Sequence, residues 1–189
     1  MRRQSVQIIP VRLGASPIVR HFVSRIAVAN VLQKHLPVDR RERVPASTTL
    51  EIILANVILE RFPLYKIGAW ARDRQYLDLA LVDCLNDDRV GRALARLFAA
   101  DRAALLTEIV LKAISEFGLN TDRVHNDSTT VTLTGQYAGY SKSRAAKPKR
   151  GFNKDHRPDL KQLLFSLSVS GDGAVPLYFK VWDGNVTDD

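Results

Sequence analysis

The stretch HNDSTTVTLTG, residues 125–135, sets a single carboxylate among His, Asn, Ser and Thr, just where the sequence turns rich in Val and Thr. Asp127 has two readings there. It is a capping or turn acid at a polar strand end, or it is a metal-binding carboxylate at the start of a nuclease-like sheet. A carboxylate on a strand, among small hydroxyls and open to water, stays ionised. That suits a hard cation such as Mg²⁺, which binds oxygen ligands and keeps several waters. One Asp does not complete such a centre, because phosphoryl transfer on DNA commonly uses two ions about 4 Å apart, held by several carboxylates.

Two further stretches carry chemistry-bearing side chains. RGFNKDHRPDLKQ mixes Lys154, His156, Arg157 and Lys161 with Asp155 and Asp159. Phosphate contacts from such residues are sensitive to salt and indifferent to base sequence. His156 is a titratable group in a polar loop, either an acid–base or a solvated side chain. DGNVTDD, with Asp183, Asn185, Asp188 and Asp189, is rich in oxygen. It lacks the twelve-residue frame and closing Glu of a calcium loop, so it reads as a turn after a strand. A P-loop and a GxGxxG loop are both missing from the sequence.

The distribution of charge points to a partner. The net charge is +8, but residues 1–45 hold nine Lys/Arg against two acids, and residues 142–161 hold eight against two. The rest of the chain is slightly acidic. Two basic segments joined by an acidic body suggest a polyanion footprint, most simply nucleic acid, with solvated surface charge as the plainer alternative. The stretch Arg40, Arg41 and Arg43 and the linker residues Lys147, Lys149, Arg150, Lys154 and Arg157 are the candidate phosphate contacts.

The elements that must position these residues change character near residue 120. From 16 to 36 apolar residues recur in steps of three and four, from Ile18 through Phe22 and Ile26 to Leu32, which predicts one amphipathic helix. VDRRERVPA reads as a charged loop. STTLEIILANVILERFP predicts a strongly apolar helix with Thr48 and Glu51 at capping-box spacing. PLYKIGAWARD predicts a short helix. LNDDRVGRALARLFAADRAALLTEIVLKAISEFGLN predicts two more, capped by Asn86 and Asp101, with Gly118 closing the second in a left-handed conformation. After residue 120 the period falls to two. VHNDSTTVTL, LLFSLSVS and AVPLYFKVW predict three strands, the last two joined by SGDG as a hairpin. The expected fold is α+β, with a helical domain over 1–120 and a smaller strand-rich domain over 121–189. The basic connection between the first two strands is long for a simple loop.

Other classes are set aside on composition. No run of about 18 apolar residues predicts a membrane span, and the N-terminal stretch does not read as a signal peptide. Cys84 is the only cysteine, so no internal disulfide forms, and zinc would need more ligands than it and four scattered His supply. A cytoplasmic setting is the simplest expectation, without a membrane partner or a small-molecule substrate.

Taken in order, LNDDRVGRALARLF, VHNDSTTVTLTGQY and GFNKDHRPDLKQLLFSLSVSGDGAVPLYFKVWDGNVTD resemble the N-terminal half of bacterial insertion-sequence transposases, the insertion-sequence-four superfamily of DDE transposases. KDHRPDLKQ and DGN are the specific pair; HNDST alone is weak. The resemblance implies a helical N-terminal domain followed by the start of a ribonuclease-H-like domain. Such enzymes hold two Mg²⁺ ions with Asp, Asp and Glu, and cut or join DNA at transposon ends in the nucleoid. Asp127 matches the first Asp, the catalytic and metal-ligating position.

The second Asp, on a fourth strand, and the Glu, on a later helix, have no counterpart in the 189 residues, and Asp183, Asp188 and Asp189 fall at a turn instead. The expectation is a truncated DDE transposase, DNA-binding and inactive by itself. Its first strand would carry an open edge, beside a stable helical domain and a marginal three-stranded sheet. The alternatives are a non-catalytic DNA-binding regulator, and a decayed gene fragment without function. A homo-oligomer is left open.

Overall fold

The computed structural model describes residues 11–37, 39–137, 145–152 and 156–186. They form two compact units, divided between Lys112 and Ala113. The fold is α+β: helices fill the N-terminal part, and a three-stranded antiparallel sheet follows.

The helical part comprises α1 (Ser16–Arg25), α2 (Val28–His35), α3 (Ala46–Leu59), α4 (Ile67–Asp73), α5 (Asp87–Ala99) and α6 (Arg102–Phe117), with 3-10 turns at Leu64–Lys66 and Leu79–Cys84. The single helix expected over 16–36 is two. Ala27 takes a left-handed conformation (φ 50°), and its N–H donates to the Ser24 carbonyl. The apolar pattern slips by two between Ile26 and Val28, so no straight helix keeps both halves on one stripe. Breaking there lets Val28, Val31 and Leu32 enter the core while Ile18 and Phe22 remain exposed.

The capping box at Thr48 and Glu51 does not form. The third helix starts earlier, after Pro45, and the Thr49 hydroxyl turns back to the Pro45 carbonyl at 3.1 Å. Pro45 fixes its own φ and presets the helix entry without a side-chain cap. Asn86 and Asp101 cap as expected, each carboxamide or carboxylate oxygen accepting a backbone N–H at 3.0 Å. Gly118 closes α6 with φ +61°.

Two apolar clusters hold the helices. One joins Val28, Val31, Leu32, Leu36, Leu50, Ala93 and Leu105. The other gathers Ile52, Ala55, Ile67, Trp70, Leu85 and Val90. Trp70 stacks on Tyr76, and its indole N–H donates to Glu60 at 3.0 Å. Arg20 lies over the Tyr76 ring at 4.0 Å and donates to the carbonyls of Arg74 and Gln75. Its charge therefore anchors α1 to the chain beyond α4.

The sheet order is β1 (Val124–Leu133), β2 (Lys161–Ser170), β3 (Pro176–Asp183), both pairs antiparallel. Alternation sets its faces. Leu163, Phe165, Leu167 and Val169 share one face of β2, and their partners across the ladder include Asp127, Val131, Phe179 and Val181. Among the described residues this face is partly open: Val131, Phe179 and Val181 are all exposed.

Candidate functional site

Asp127 stands in mid-strand on β1, opposite Leu167, which in turn faces Phe179. Its side chain is exposed, and Oδ1 accepts the Ser128 N–H at 2.8 Å. The same strand face carries His125 and Thr129, two residues to either side. The carboxylate is thus reachable by a cation, and it is not consumed by an ion pair among the described residues.

Asp183 lies on the same sheet face, two strands across and four residues along. Its register partner is Leu163, whereas that of Asp127 is Leu167. At strand spacings this places the two backbones roughly 16 Å apart, too far to share an ion. Asp183 is also committed elsewhere. Its Oδ2 pairs with Lys149 Nζ at 2.8 Å, and its Oδ1 accepts the Lys147 N–H at 2.7 Å. These contacts, Lys149 first, hold its carboxyl below the usual range. Asp188 and Asp189 lie outside the described residues.

Metal fit follows from these placements. Asp127 fits one oxygen ligand of a Mg²⁺ ion. The described residues bring no group of three or more His, Cys, Asp or Glu together, so they do not fit a two-ion centre, and no cleavage step is assigned to them.

The basic connection between β1 and β2 is partly built into the sheet. Lys149 and Gln162 exchange both backbone hydrogen bonds (3.1 and 2.8 Å), so the chain near Lys149 continues the ladder beside β2 just where β3 ends. Gln162 is 1% exposed and its Nε2 donates to the carbonyls of Phe152 (2.7 Å) and Gly184 (2.8 Å). A Cβ at Gly184 would run into the Gln162 carbonyl, and one at Gly151 into the Gly184 carbonyl. KDHRPDLKQ and DGN therefore meet through Gln162 and Gly184. The tie is architectural, and it explains why those residue types stand at both ends.

The candidate phosphate contacts fall into two classes. Lys149 is paired with Asp183, Arg157 grips Asp159 through two bonds of 2.9 and 2.8 Å, and Arg41 pairs with Asp39 at 3.2 Å. Arg157 and Asp159 shift one another in opposite directions, the Arg up and the Asp down. Arg40, Arg43 and Arg150 are exposed, and Lys147 is half-buried with its N–H on Asp183. Lys154 lies outside the described residues. His156 is exposed in a left-handed conformation (φ 57°).

Sequence reasoning did not single out the ionic anchor beneath the arginine loop. Glu42, inside the run DRRER, has a side chain only 7% exposed. It pairs with Arg89 and takes Arg96 through two bonds of 2.9 Å. Its only trace in the sequence is slight: one acid set among arginines.

Among the described residues no helix is long and apolar enough to cross a membrane. Neither a curated protein nor a solved structure matches the chain. One family does match, over residues 10–111, which takes in α1 to α5, the arginine loop and its Glu42 anchor, and leaves Asp127 and the sheet beyond it. The chain belongs to that family, described as a domain of unknown function (DUF4277).

Proposed function

We propose that the protein is a DNA-binding relative of the insertion-sequence DDE transposases, with the helical part contacting the phosphate backbone and Asp127 serving as a metal-ligating carboxylate. The observation that carries this reading is the position of Asp127. It is an exposed acid in the middle of the first strand of an antiparallel sheet. HNDST, the end of KDHRPDLKQ and the start of DGN stand in order on that sheet's three strands. The ionic logic supports a polyanion partner: guanidinium groups suit phosphate oxygens, and several here face solvent.

When bound, Mg²⁺ would supply charge neutralisation for a phosphate oxygen. Asp127 would hold the ion by one oxygen while Ser128 N–H fixes the other. The 189 residues by themselves bind DNA on this reading and do not cut it.

A second reading is a non-catalytic regulator that occupies transposon ends. It is favoured by the arginine loop, which lies within the residues that match the family and does not depend on the acidic strand. A gel-shift titration with the DNA flanking the gene tests both. Selective retention of the flanking inverted repeats supports DNA recognition. No retention of any duplex at low salt removes both readings. Mg²⁺-dependent strand transfer by the 189-residue chain, abolished by Asp127→Ala, would contradict the regulator and the inactive chain alike.

A further inference from the structure

The loop at 39–43 reads Asp-Arg-Arg-Glu-Arg, and its side chains are sorted by direction. Glu42 points inward to Arg89 and Arg96 on α5. Arg40, Arg41 and Arg43 are exposed, with the Arg41 side chain at 92%. The loop is fastened along its length. Arg96 Nη1 donates to the Pro37 carbonyl at 3.1 Å, the Glu42 N–H donates to the Asp39 carbonyl at 3.0 Å, and Val44 is 1% exposed where the chain enters α3.

Through Glu42, Arg89 and Arg96 the connection between α2 and α3 is tied to α5. What the anchor achieves is to hold three arginines outward on an ordered backbone. Arg40, Arg41 and Arg43 of the loop, with Arg89 and Arg96 that hold it, stand against Asp39 and Glu42, so positive charge is in excess by three. Ordering a loop before binding removes an entropy cost that a flexible basic segment bears on contact. Arginine on a fixed backbone matches phosphate geometry through two parallel N–H donors.

We propose that this loop is a preorganised phosphate-contact surface for duplex DNA. Arg40, Arg41 and Arg43 touch the backbone, and Glu42 is the positioning residue that acts through Arg89 and Arg96. Asp39 is an internal competitor. It already holds Arg41 by the backbone N–H at 3.0 Å and by Nε at 3.2 Å, and it lies 3.6 Å from Arg96. A DNA phosphate competes with that carboxylate for Arg41. This inference rests on the DNA reading above and names the surface that performs it.

The test uses the whole 189-residue chain and a 20-base-pair duplex of random sequence, followed by fluorescence anisotropy across stepped KCl. The wild-type curve tests the DNA reading; the variants test the surface. Arg40→Gln/Arg41→Gln/Arg43→Gln, all at exposed positions, is expected to shallow the log–log salt slope by about 2 to 3, at roughly 0.9 for each phosphate no longer neutralised. Glu42→Gln, checked for folding by circular dichroism, is expected to weaken binding several-fold with the slope nearly kept and faster amide exchange across 39–43. Asp39→Asn is expected to tighten binding. Wild-type binding with an unchanged slope in the triple variant overturns the surface while leaving the DNA reading intact. Equal capture of poly-glutamate at matched salt overturns the phosphate assignment. Should Glu42→Gln unfold, the triple variant still decides.

Discussion

Glu42 takes a single guanidinium, that of Arg96, by both carboxylate oxygens at 2.9 Å, while Arg89 closes on the same carboxylate from two helical turns earlier on α5. Glu42 and Arg96 are 54 residues apart in sequence. Because the Glu42 side chain is 7% exposed and those of Arg89 and Arg96 are 13% and 25% exposed, the charges depend on each other for compensation more than on water.

Removing one partner of such a network leaves the others uncompensated. Glu42→Ala is expected to cost about 3 kcal/mol of stability, read as a fall in the midpoint of urea unfolding. Adding Arg89→Met to that variant should recover part of the loss, since the second substitution removes one of the stranded charges. A double variant no more stable than the single one would contradict stranded charge as the cause of the loss.

Gly184 and Gly91 should respond oppositely to alanine. At Gly184 the new methyl would strike the Gln162 and Lys149 carbonyls where the sheet ends, and neither backbone can yield without breaking the Lys149–Gln162 pairing. Gly184→Ala is expected to destabilise by about 1 to 3 kcal/mol. Gly91 lies in α5 with open space where an alanine methyl would stand, so Gly91→Ala should stabilise by about 0.5 to 1 kcal/mol through the unfolded chain and helix propensity. Thermal unfolding of the two variants checks the signs.

Two carboxyls give opposite pH signatures. Burial pushes Glu51 up, and Arg20 only partly offsets it. Its native form therefore holds a proton more readily than the unfolded chain, and the cost of ionising it is absent below the unfolded value near 4.5 and fully present above the native one. Glu51→Gln should raise the melting temperature at pH 7 and leave it unchanged at pH 3. Asp183 is held down by Lys149 and by the Lys147 N–H. Its stabilisation is present above the unfolded value near 3.8 and is lost as pH falls through the lower native one. Asp183→Asn should lower stability at pH 7 and converge with wild type in strong acid. Melting curves at the two pH values separate these cases; parallel shifts at both would contradict the assignments.

Local signals were legible in the sequence and distant ones were not. Asn86, Asp101 and Gly118 act within one turn of themselves, so residue type and spacing sufficed to place the ends of α5 and α6. The strands announced themselves by alternation, as in Leu163, Phe165, Leu167 and Val169. Ala27 gave no warning, because alanine is not a left-handed residue by preference; only the phase slip after Ile26 marked the break. Thr48 and Glu51 had the spacing of a capping box, yet Pro45 starts the helix before them. The anchor of Glu42 and the bond of Gln162 to Gly184 join residues 47, 54 and 22 apart. Nothing within either segment encodes its partner. For the candidate site, residue type singled out Asp127, and the structure adds its exposure, its sheet face and its distance from Asp183.

The most direct test of DNA as the partner is the salt dependence of duplex binding by the unaltered 189-residue chain. The expected result is binding at 50 mM KCl that weakens with added salt along a log–log slope of about −3 or steeper, as release of several counterions requires. A flat slope, or no binding at 50 mM, would contradict it.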